Sequence, residues 1–337
     1  MKNDSPPLRR GIFDSINLSS SLDMMSCKAI TILCAFAVAG CLLAGCSAND
    51  ADTIRLGYLQ NDLHHLPAFV ALEKKLFERE GLNVQVAGIF RAGPEEMSAF
   101  AADALDVGYV GQAPATAAYC NGVADIRFVS QVNLEGSALV VGRTSKIFAP
   151  ADLRGKTIAI PGHATMQDFL LRKALRRHHV AADRVKLIVL KPPEMLQALG
   201  LAEIDAFIAW EPYPAAALAS GVGRILLTSS QIWSAHPCCV LVARTAFCEQ
   251  FPEKLNSIKK VHDRACRYII ENPEEAVRVG TLYTGMDRAT VARALKQIVY
   301  RTALDRQKER EFVDFLRNLK YIKQKTSARS IDSVFYD

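Results

Sequence analysis

Residues 54–86 read IRLGYLQNDLHHLPAFVALEKKLFEREGLNVQV and contain a strand, a helix and a second strand in that order. The first six residues form a short apolar run that is typical of a strand. Pro67 fits the first turn of a helix, and Gly81 ends that helix. Residues 82–87 then return as a strand. A strand–helix–strand unit of this kind indicates an α/β fold.

The same alternation continues along the chain. Further strands are predicted at 106–110, 127–132, 138–141, 157–160, 185–190 and 206–210, with helices at 94–103, 112–121, 165–178, 193–202 and 213–219. Beyond these, helices are predicted at 252–271, 273–282, 287–301 and 307–322. We therefore expect α/β sheets with helices on both faces, followed by a mainly helical C-terminal region.

Composition excludes some classes of function. Half of the 337 residues are hydrophobic, so the chain can bury a substantial core, and the formal net charge is only +6. Lys and Arg are scattered among acidic residues, with no basic stripe between aromatic side chains, so we expect no binding of nucleic acid. A mildly positive surface fits an anionic ligand without requiring one.

The N-terminal region has the pattern of an export signal. Residues 29–44 read AITILCAFAVAGCLLA, an apolar run that follows Lys28 and is shorter than the roughly 20 residues of a membrane span. The run ends in Leu43-Ala44-Gly45-Cys46, which resembles the bacterial lipobox. The alternative is a buried helix that happens to end in cysteine.

We therefore predict a lipoprotein signal peptide at 1–46, lipid attachment at Cys46 and a short linker at 47–52. The leader has ordinary length if translation begins at Met24 or Met25. The mature protein is then exported and anchored to the membrane by its lipid.

The cysteines after the leader do not form a disulfide framework, because they are few and odd in number. They are Cys120, Cys238, Cys239, Cys248 and Cys266. The adjacent pair Cys238-Cys239 lies in the strand-like run CCVLVA, where we interpret both as small buried hydrophobic residues. A disulfide or a redox pair is the alternative. No CxxC pair or spaced Cys/His cluster suggests zinc, so we predict no metal site and no cofactor.

Four segments together resemble the substrate-binding proteins of the nitrate/sulfonate/taurine ABC importers, a group that includes binders of thiamine-pyrimidine precursors. The segments are residues 54–86, ALDVGYVGQAPATAAYCNG at 104–122, DLRGKTIAIPGHATMQDFLL at 152–171 and IDAFIAWEPYPAAAL at 204–218. The resemblance implies a two-lobed periplasmic-binding-protein fold of the second type. Residues 53–142 and 237–337 would form the first lobe, and 143–236 the second, with the ligand in a cleft that closes by hinge motion.

Open α/β sheets bind ligands at the carboxyl ends of their strands, which points to loops in both lobes. In the first lobe, His64 or His65 could hydrogen-bond a polar ligand, although both could equally be exposed loop residues. Gly111 and Gln112 begin a helix, where free backbone N–H groups favour an anion. Asn133 follows another extended run and is a further candidate.

In the second lobe, His163, Ala164 and Thr165 precede a helix in the same way, and Thr165 could cap that helix or bind the ligand. Trp210 could form an aromatic wall of the cleft, with core packing as the alternative. Glu211 resembles the acidic residue of the family's W-[DE]-P-[YF] segment. Because a carboxylate facing an anion is costly, Glu211 favours a lobe-interface role or a ligand with an N–H or cationic group.

These observations predict a binding protein without catalytic residues. It would capture a small solute (sulfonate, taurine, nitrate, bicarbonate or a pyrimidine precursor) and deliver it to ABC permease and ATPase subunits. Two alternatives remain: an enzyme of the same fold, of the pyrimidine-precursor or menaquinone-pathway type, and a lipoprotein sensor domain.

Overall fold

A computed structural model describes residues 52–323 and 330–336 of the chain. The predicted signal peptide and the predicted lipid-attachment residue Cys46 lie outside this part of the chain. The described strands are β1 (Ile54–Leu59), β2 (Val84–Phe90), β3 (Val107–Gly111), β4 (Ile126–Glu135), β5 (Ser137–Gly142), β6 (Thr157–Ile160), β7 (Lys186–Val189), β8 (Ala206–Trp210), β9 (Gly223–Thr228), β10 (Pro237–Arg244) and β11 (Ile298–Tyr300).

The helices connect these strands and cover the sheets. They are α1 (Leu66–Glu73), α2 (Leu76–Arg79), α3 (Gly93–Ala101), α4 (Gln112–Cys120), α5 (Met166–Arg177), α6 (Pro192–Gly200), α7 (Tyr213–Ala219), α8 (Ser229–Ile232), α9 (Thr245–Gln250), α10 (Pro252–Glu271), α11 (Pro273–Thr284), α12 (Arg288–Leu295) and α13 (Arg306–Asn318). Short 3-10 turns lie at Leu63–His65, Pro150–Leu153, Ala182–Arg184 and Ile331–Val334.

The fold contains two mixed β-sheets with similar strand arrangements. The first has the strand order β11-β4-β10-β3-β1-β2, with β1 parallel to β2 and β3, and β10 antiparallel between β3 and β4. The second has the order β7-β6-β8-β5-β9, with β6 parallel to β7 and β8, and β5 antiparallel between β8 and β9. We call each sheet with its covering helices a lobe. The prediction of a two-lobed α/β fold is confirmed.

The chain passes from the first sheet to the second at Gly136, between β4 and β5. The predicted lobe boundary at 142/143 therefore comes too late, because β5 belongs to the second sheet. Gly136 has a φ of +85°, and a Cβ at this position would overlap Nε2 of His64. Both facts require glycine, since it alone adopts this backbone conformation freely and leaves the space open.

The C-terminal region returns to the first lobe through α9 to α12. The helix predicted at 287–301 is too long, because α12 ends at Leu295 and residues 298–300 form β11 against β4. Ile298 and Val299 are β-branched and Tyr300 is aromatic, so all three suit a strand once a sheet edge is available to pair with.

Helix α13 packs against both lobes. On the first lobe, Glu309 accepts hydrogen bonds from Gln112 and Thr116 of α4. On the second lobe, the ring centroids of Phe312 and Phe315 lie 4.5 and 4.6 Å from that of Phe169 in α5. The helix therefore links the lobes in this conformation. None of the helices within residues 52–323 and 330–336 combines the length and apolar character needed to cross a membrane.

Candidate ligand-binding site

A small buried cavity lies between the two lobes. Its volume is about 20 Å³, room for about one water molecule, so the lobes are closed on each other. Larger cavities of about 360, 440 and 550 Å³ lie elsewhere and share no lining residue with it. The inter-lobe cavity is lined by Leu59, Asp62, His64, Gly93, Gly111, Pro114, Cys238 and Cys239 of the first lobe and by Thr165, Met166, Gln167 and Trp210 of the second.

Three helices begin at this cavity. Gly93 is the first residue of α3, Gly111 precedes α4, and Thr165 precedes α5, and all three line the cavity. The first turn of a helix carries unsatisfied backbone N–H groups and the positive end of the helix dipole. Lys and Arg are absent from the lining formed by the described residues. The helix ends therefore add a positive field at the cavity without any Lys or Arg side chain, an arrangement that favours an anion.

His64 is held in one orientation by two hydrogen bonds. Asp62 caps the 3-10 turn after β1 by accepting the His64 backbone N–H, at 2.9 Å. The ring nitrogen Nε2 of His64 lies 2.8 Å from the carbonyl oxygen of Gly136 and must donate to it. The other ring nitrogen, Nδ1, therefore faces the sulfur atoms of Cys238 and Cys239, at 3.5 and 3.6 Å.

The neighbouring His65 has a different role. Its Nδ1 accepts the backbone N–H of Leu59 at 3.0 Å, so in the neutral ring Nε2 carries the proton. Nε2 has no hydrogen-bond partner and lies 3.9 Å from Oδ2 of Asp62. His65 is fully buried and does not line the cavity. Through its hydrogen bond with Leu59, His65 holds the end of β1 in place.

Cys238 and Cys239 lie on an irregularity of β10. The pairing of β10 with β4 skips Cys238, passing from Pro237 opposite Leu134 to Cys239 opposite Asn133. Successive residues of a regular strand point to opposite faces, but a bulge can re-aim a side chain. Here both thiols come within reach of His64, and both are free of disulfides.

Burial and contact with one another shift the pKa values of Asp62, His64 and Cys238. Burial raises the pKa of Asp62 to about 7, although the charge of His64 opposes the shift. Burial lowers the pKa of His64, but the charges of Cys238 and Asp62 outweigh it and raise the pKa to about 10. Burial raises the pKa of Cys238, yet the Cys239 thiol and the charge of His64 together hold it well below its usual range. Both shifts favour the charged forms of His64 and Cys238 at the cavity wall.

The second lobe contributes neutral groups. Thr165 accepts the Asp168 N–H at 3.3 Å and donates to the carbonyl of Gly162 at 2.8 Å, so its hydroxyl caps α5. Gln167 donates to the Ser137 hydroxyl at 3.1 Å. Trp210 lines the cavity, and its indole N–H is buried and has no hydrogen-bond partner. Because buried donors are nearly always satisfied, this N–H is suited to a ligand acceptor.

Several residues proposed from the sequence lie outside the cavity lining. Gln112 is buried, with its amide committed to Glu309 and Gln131. Asn133 is buried, and its side-chain nitrogen donates to neighbouring backbone carbonyls. His163 is largely exposed, and the Ala164 N–H donates to Asp168 at 3.1 Å. Of the proposed set, the structure brings His64, Gly111, Thr165 and Trp210 together.

Glu211 also lies outside the lining. Its Oε2 accepts the Ala215 N–H at 3.1 Å, which satisfies the first turn of α7. Burial raises the pKa of Glu211 to about 7, with the Ala215 hydrogen bond opposing the shift. Its backbone carbonyl accepts the N–H of Leu63 in the first lobe at 3.2 Å. Glu211 thus lies at the lobe interface, and its carboxylate does not face the cavity.

Sequence reasoning missed Asp62, Met166, Gln167, Cys238 and Cys239. Asp62 had a readable signal, because an Asp directly before a turn is a common cap. Gln167 follows a predicted helix start and could have been included with Thr165. The two thiols had no such signal, since only the bulge in β10 directs both to one side.

Comparison with known proteins identifies the family. Residues 47–282 match the NMT1-like family. A Bacillus subtilis protein named for aliphatic-sulfonate binding is 31% identical over 268 residues, which cover 76% of this chain and 79% of that protein. The chain belongs to the NMT1-like family. These relatives are binding proteins rather than enzymes, as the sequence predicted.

Solved structures show the same fold. The alkanesulfonate-binding protein SsuA from Xanthomonas axonopodis pv. citri, bound to MOPS, superposes with a TM-score of 0.74 at 18% identity and covers 86% of this chain and 99% of its own. The periplasmic nitrate-binding protein NrtA from Synechocystis superposes with a TM-score of 0.73 at 18% identity, covering 86% and 87%. At this identity the likeness establishes the two-lobed fold.

Proposed function

We propose that this NMT1-like protein captures a small oxyanion, of the alkanesulfonate class, between its two lobes and delivers it to an ABC importer. The observation that carries the proposal is the convergence of the first turns of α3, α4 and α5 on one cavity. Oxyanions bind well at helix N-termini because several N–H donors and a positive dipole end meet there. The relative named for aliphatic sulfonates supports the ligand class.

Trp210 supplies a directional donor in this proposal. Trp210 lines the cavity, and its buried indole N–H has no hydrogen-bond partner, so we expect that N–H to donate to one oxygen of the solute. The indole ring would also cover part of an alkyl chain. The sequence suggested that the carboxylate of Glu211 would disfavour an anionic ligand. That argument does not apply, because the carboxyl group accepts a hydrogen bond from the first turn of α7 and does not line the cavity.

A solute larger than one water needs the lobes to separate, since the cavity holds only about 20 Å³. The first connection between the sheets, at Gly136, is a single residue with a left-handed backbone and is suited to a hinge. The lobe division would then be residues 53–136 with 237–336 against residues 137–236.

We also propose that the chain is exported as a lipoprotein anchored through Cys46. The apolar run at 29–44, Lys28 before it and the lipobox-like residues 43–46 support this. The family match begins at residue 47, directly after Cys46. An anchored binding protein would hand its solute to permease and ATPase subunits at the same membrane.

Mass spectrometry of solute released from the purified full chain tests the proposed function, followed by calorimetry with the compound found. We expect an organic sulfonate or a related oxyanion, returned chemically unchanged. Recovery of a cationic solute would refute the oxyanion assignment. Turnover that disappears in Trp210→Phe would instead favour the alternative of an enzyme of this fold. For the anchor, fatty-acid labelling of cells should be lost in Cys46→Ser.

A further inference from the structure

The cluster of His64, Cys238 and Cys239 has the features of a metal site. The three donor atoms, His64 Nδ1 and the two sulfur atoms, all lie within 4.8 Å of one another, and all three residues are buried. They come from the turn after β1 and from the bulge of β10, both in the first lobe. Nothing in the solute-binding role requires two adjacent thiols on one histidine.

The orientation of His64 matches that of a metal ligand. A histidine that binds a metal through one ring nitrogen usually donates the other N–H to a carboxylate or backbone carbonyl, which fixes its tautomer. His64 Nε2 bonds the Gly136 carbonyl at 2.8 Å, which leaves Nδ1 to point at the thiols. The Gly136 carbonyl is itself held, because it also accepts the Glu211 N–H at 2.9 Å.

The distances fit tetrahedral coordination. In a tetrahedral zinc site the bonds are about 2.3 Å to sulfur and about 2.0 Å to nitrogen. A sulfur ligand and a nitrogen ligand of the same ion then lie about 3.5 Å apart. The Nδ1–sulfur distances are 3.5 and 3.6 Å. Oδ1 of Asp62 lies 3.6 Å from the same Nδ1, but it accepts the His64 backbone N–H, and Asp62 does not lie within 4.8 Å of all three donor atoms. The fourth position is therefore left to an external ligand.

We propose that His64, Cys238 and Cys239 bind a zinc(II) ion at the first-lobe wall of the cavity, with the fourth position open to an external ligand. Thiolate and imidazole ligands suit zinc better than magnesium or calcium. Binding would replace the Nδ1 proton of His64 and the thiol proton of Cys239 by the metal. Because every protein ligand belongs to one lobe, the ion needs no solute and no lobe closure, so this site stands apart from the proposed oxyanion function.

Two neighbouring arrangements are poorer candidates. Asp62, His65 and Cys239 also lie within 4.8 Å of one another, but Nδ1 of His65 accepts a backbone N–H and Nε2 carries the proton. In the α10 helix, the sulfur of Cys266 lies 3.6 Å from Nε2 of His262, but that nitrogen bonds the Gln131 carbonyl and no second thiol is present. The pair His262–Cys266 therefore provides a matched control.

The test is metal binding by the purified full chain with its thiols reduced. Competition with a chromophoric chelator gives the zinc affinity of the wild type, Cys238→Ser, His64→Gln and the control Cys266→Ser. The cysteines before residue 47 are present in every protein, so their contribution cancels. We expect the wild type and the control to hold one zinc per chain more than Cys238→Ser and His64→Gln, in which this site should bind zinc at least about 100-fold more weakly.

A spectroscopic measurement covers the case in which a variant does not fold. Cobalt(II) added to the reduced wild type should give sulfur-to-cobalt charge-transfer absorption and the ligand-field bands of a tetrahedral site. X-ray absorption of the zinc-loaded wild type should show two sulfur neighbours with the remainder nitrogen or oxygen. Equal zinc affinity in all four proteins, or a six-coordinate cobalt spectrum without sulfur ligation, would overturn the proposal.

Discussion

The two walls of the cavity differ in kind. The first-lobe wall, which we call the charged wall, contains Asp62, His64, Cys238 and Cys239, and the charges of these neighbours contribute to the pKa shifts of Asp62, His64 and Cys238. The neutral wall, in the second lobe, consists of Thr165, Met166, Gln167 and Trp210, which offer hydrogen bonds and apolar surface. Under the two proposals, the charged wall would bind the metal, and the neutral wall would select the shape and acceptor groups of the solute.

The largest effect is expected where the charged wall meets the lobe connection. Gly136→Ala places a Cβ against His64 Nε2 at a φ of +85° and should lower the free energy of unfolding by about 3 kcal/mol or more. Gly122→Ala is the control, because it has a φ of +69° with open space around it and should cost only about 1 kcal/mol. Chemical denaturation measures both free energies of unfolding. Equal decreases in the two variants would show that the added Cβ at position 136 does not clash with His64.

The pH dependence of stability should come from buried carboxyl groups on the first-lobe side. Burial raises the pKa of Glu309 to about 7, despite its hydrogen bonds from Thr116 and Gln112, against 4.5 as the ordinary value. The folded state therefore favours the protonated form, and this stabilisation is complete below pH 4.5 and is lost as the pH rises through about 7. Asp62 and Glu211 shift in the same direction.

Glu309→Gln keeps a hydrogen-bonding side chain that cannot ionise. The fall in unfolding free energy between pH 4.5 and pH 8 should then be smaller than in the wild type by roughly 2–3 kcal/mol, at about 1.4 kcal/mol per pKa unit. Denaturation at several pH values measures this difference. A variant with the wild-type pH profile would mean that Glu309 does not titrate in this range.

On the neutral wall, Trp210→Phe should weaken solute binding by about 2 kcal/mol, since it removes a hydrogen bond to a charged acceptor while keeping an aromatic ring. The other tryptophan, Trp233, packs on His236 and Phe312 outside the cavity, so Trp233→Phe is the matched control and should bind normally. Calorimetry with the identified sulfonate distinguishes the two. Because Trp210 is buried in the second-lobe core, Trp210→Ala would confuse lost binding with lost packing.

Thr165 should show the smallest effect. Its hydroxyl caps α5, so Thr165→Ala should lower the free energy of unfolding by about 1 kcal/mol, and Thr165→Ser should restore it. Solute affinity should change less than in Trp210→Phe. A large loss of affinity at normal stability would instead assign the hydroxyl to the ligand.

The sequence predicted Thr165 and Trp210 on the neutral wall and His64 on the charged wall, but it did not predict the grouping of His64 with two thiols. Thr165 and Trp210 follow strands and precede helices, which is a local pattern that places residues at a binding edge. The pairing of His64 with Cys238 and Cys239 depends on a bulge in a distant strand, and Gln112 is held by Glu309 from the C-terminal helix. Long-range contacts of this kind leave no periodic signal in the chain.

The fold shows the same limit. The alternation of strands and helices gave the α/β class and most elements, because each depends on local periodicity. The sheet to which β5 belongs and the strand character of residues 298–300 depend on which edges are open for backbone pairing. The side chains of a strand favour an extended conformation, but they do not by themselves determine which sheet edge the strand pairs with.

The most direct test of the oxyanion assignment compares two compounds of the same shape on the metal-free full chain. Calorimetry should detect binding of ethanesulfonate, whereas the neutral isostere ethyl methyl sulfone should bind at least about 100-fold more weakly, because helix N-termini favour the anionic oxygens. Changes in Trp210 fluorescence in the Trp233→Phe background would report the same event at the cavity. Equal affinity for both compounds would contradict the account.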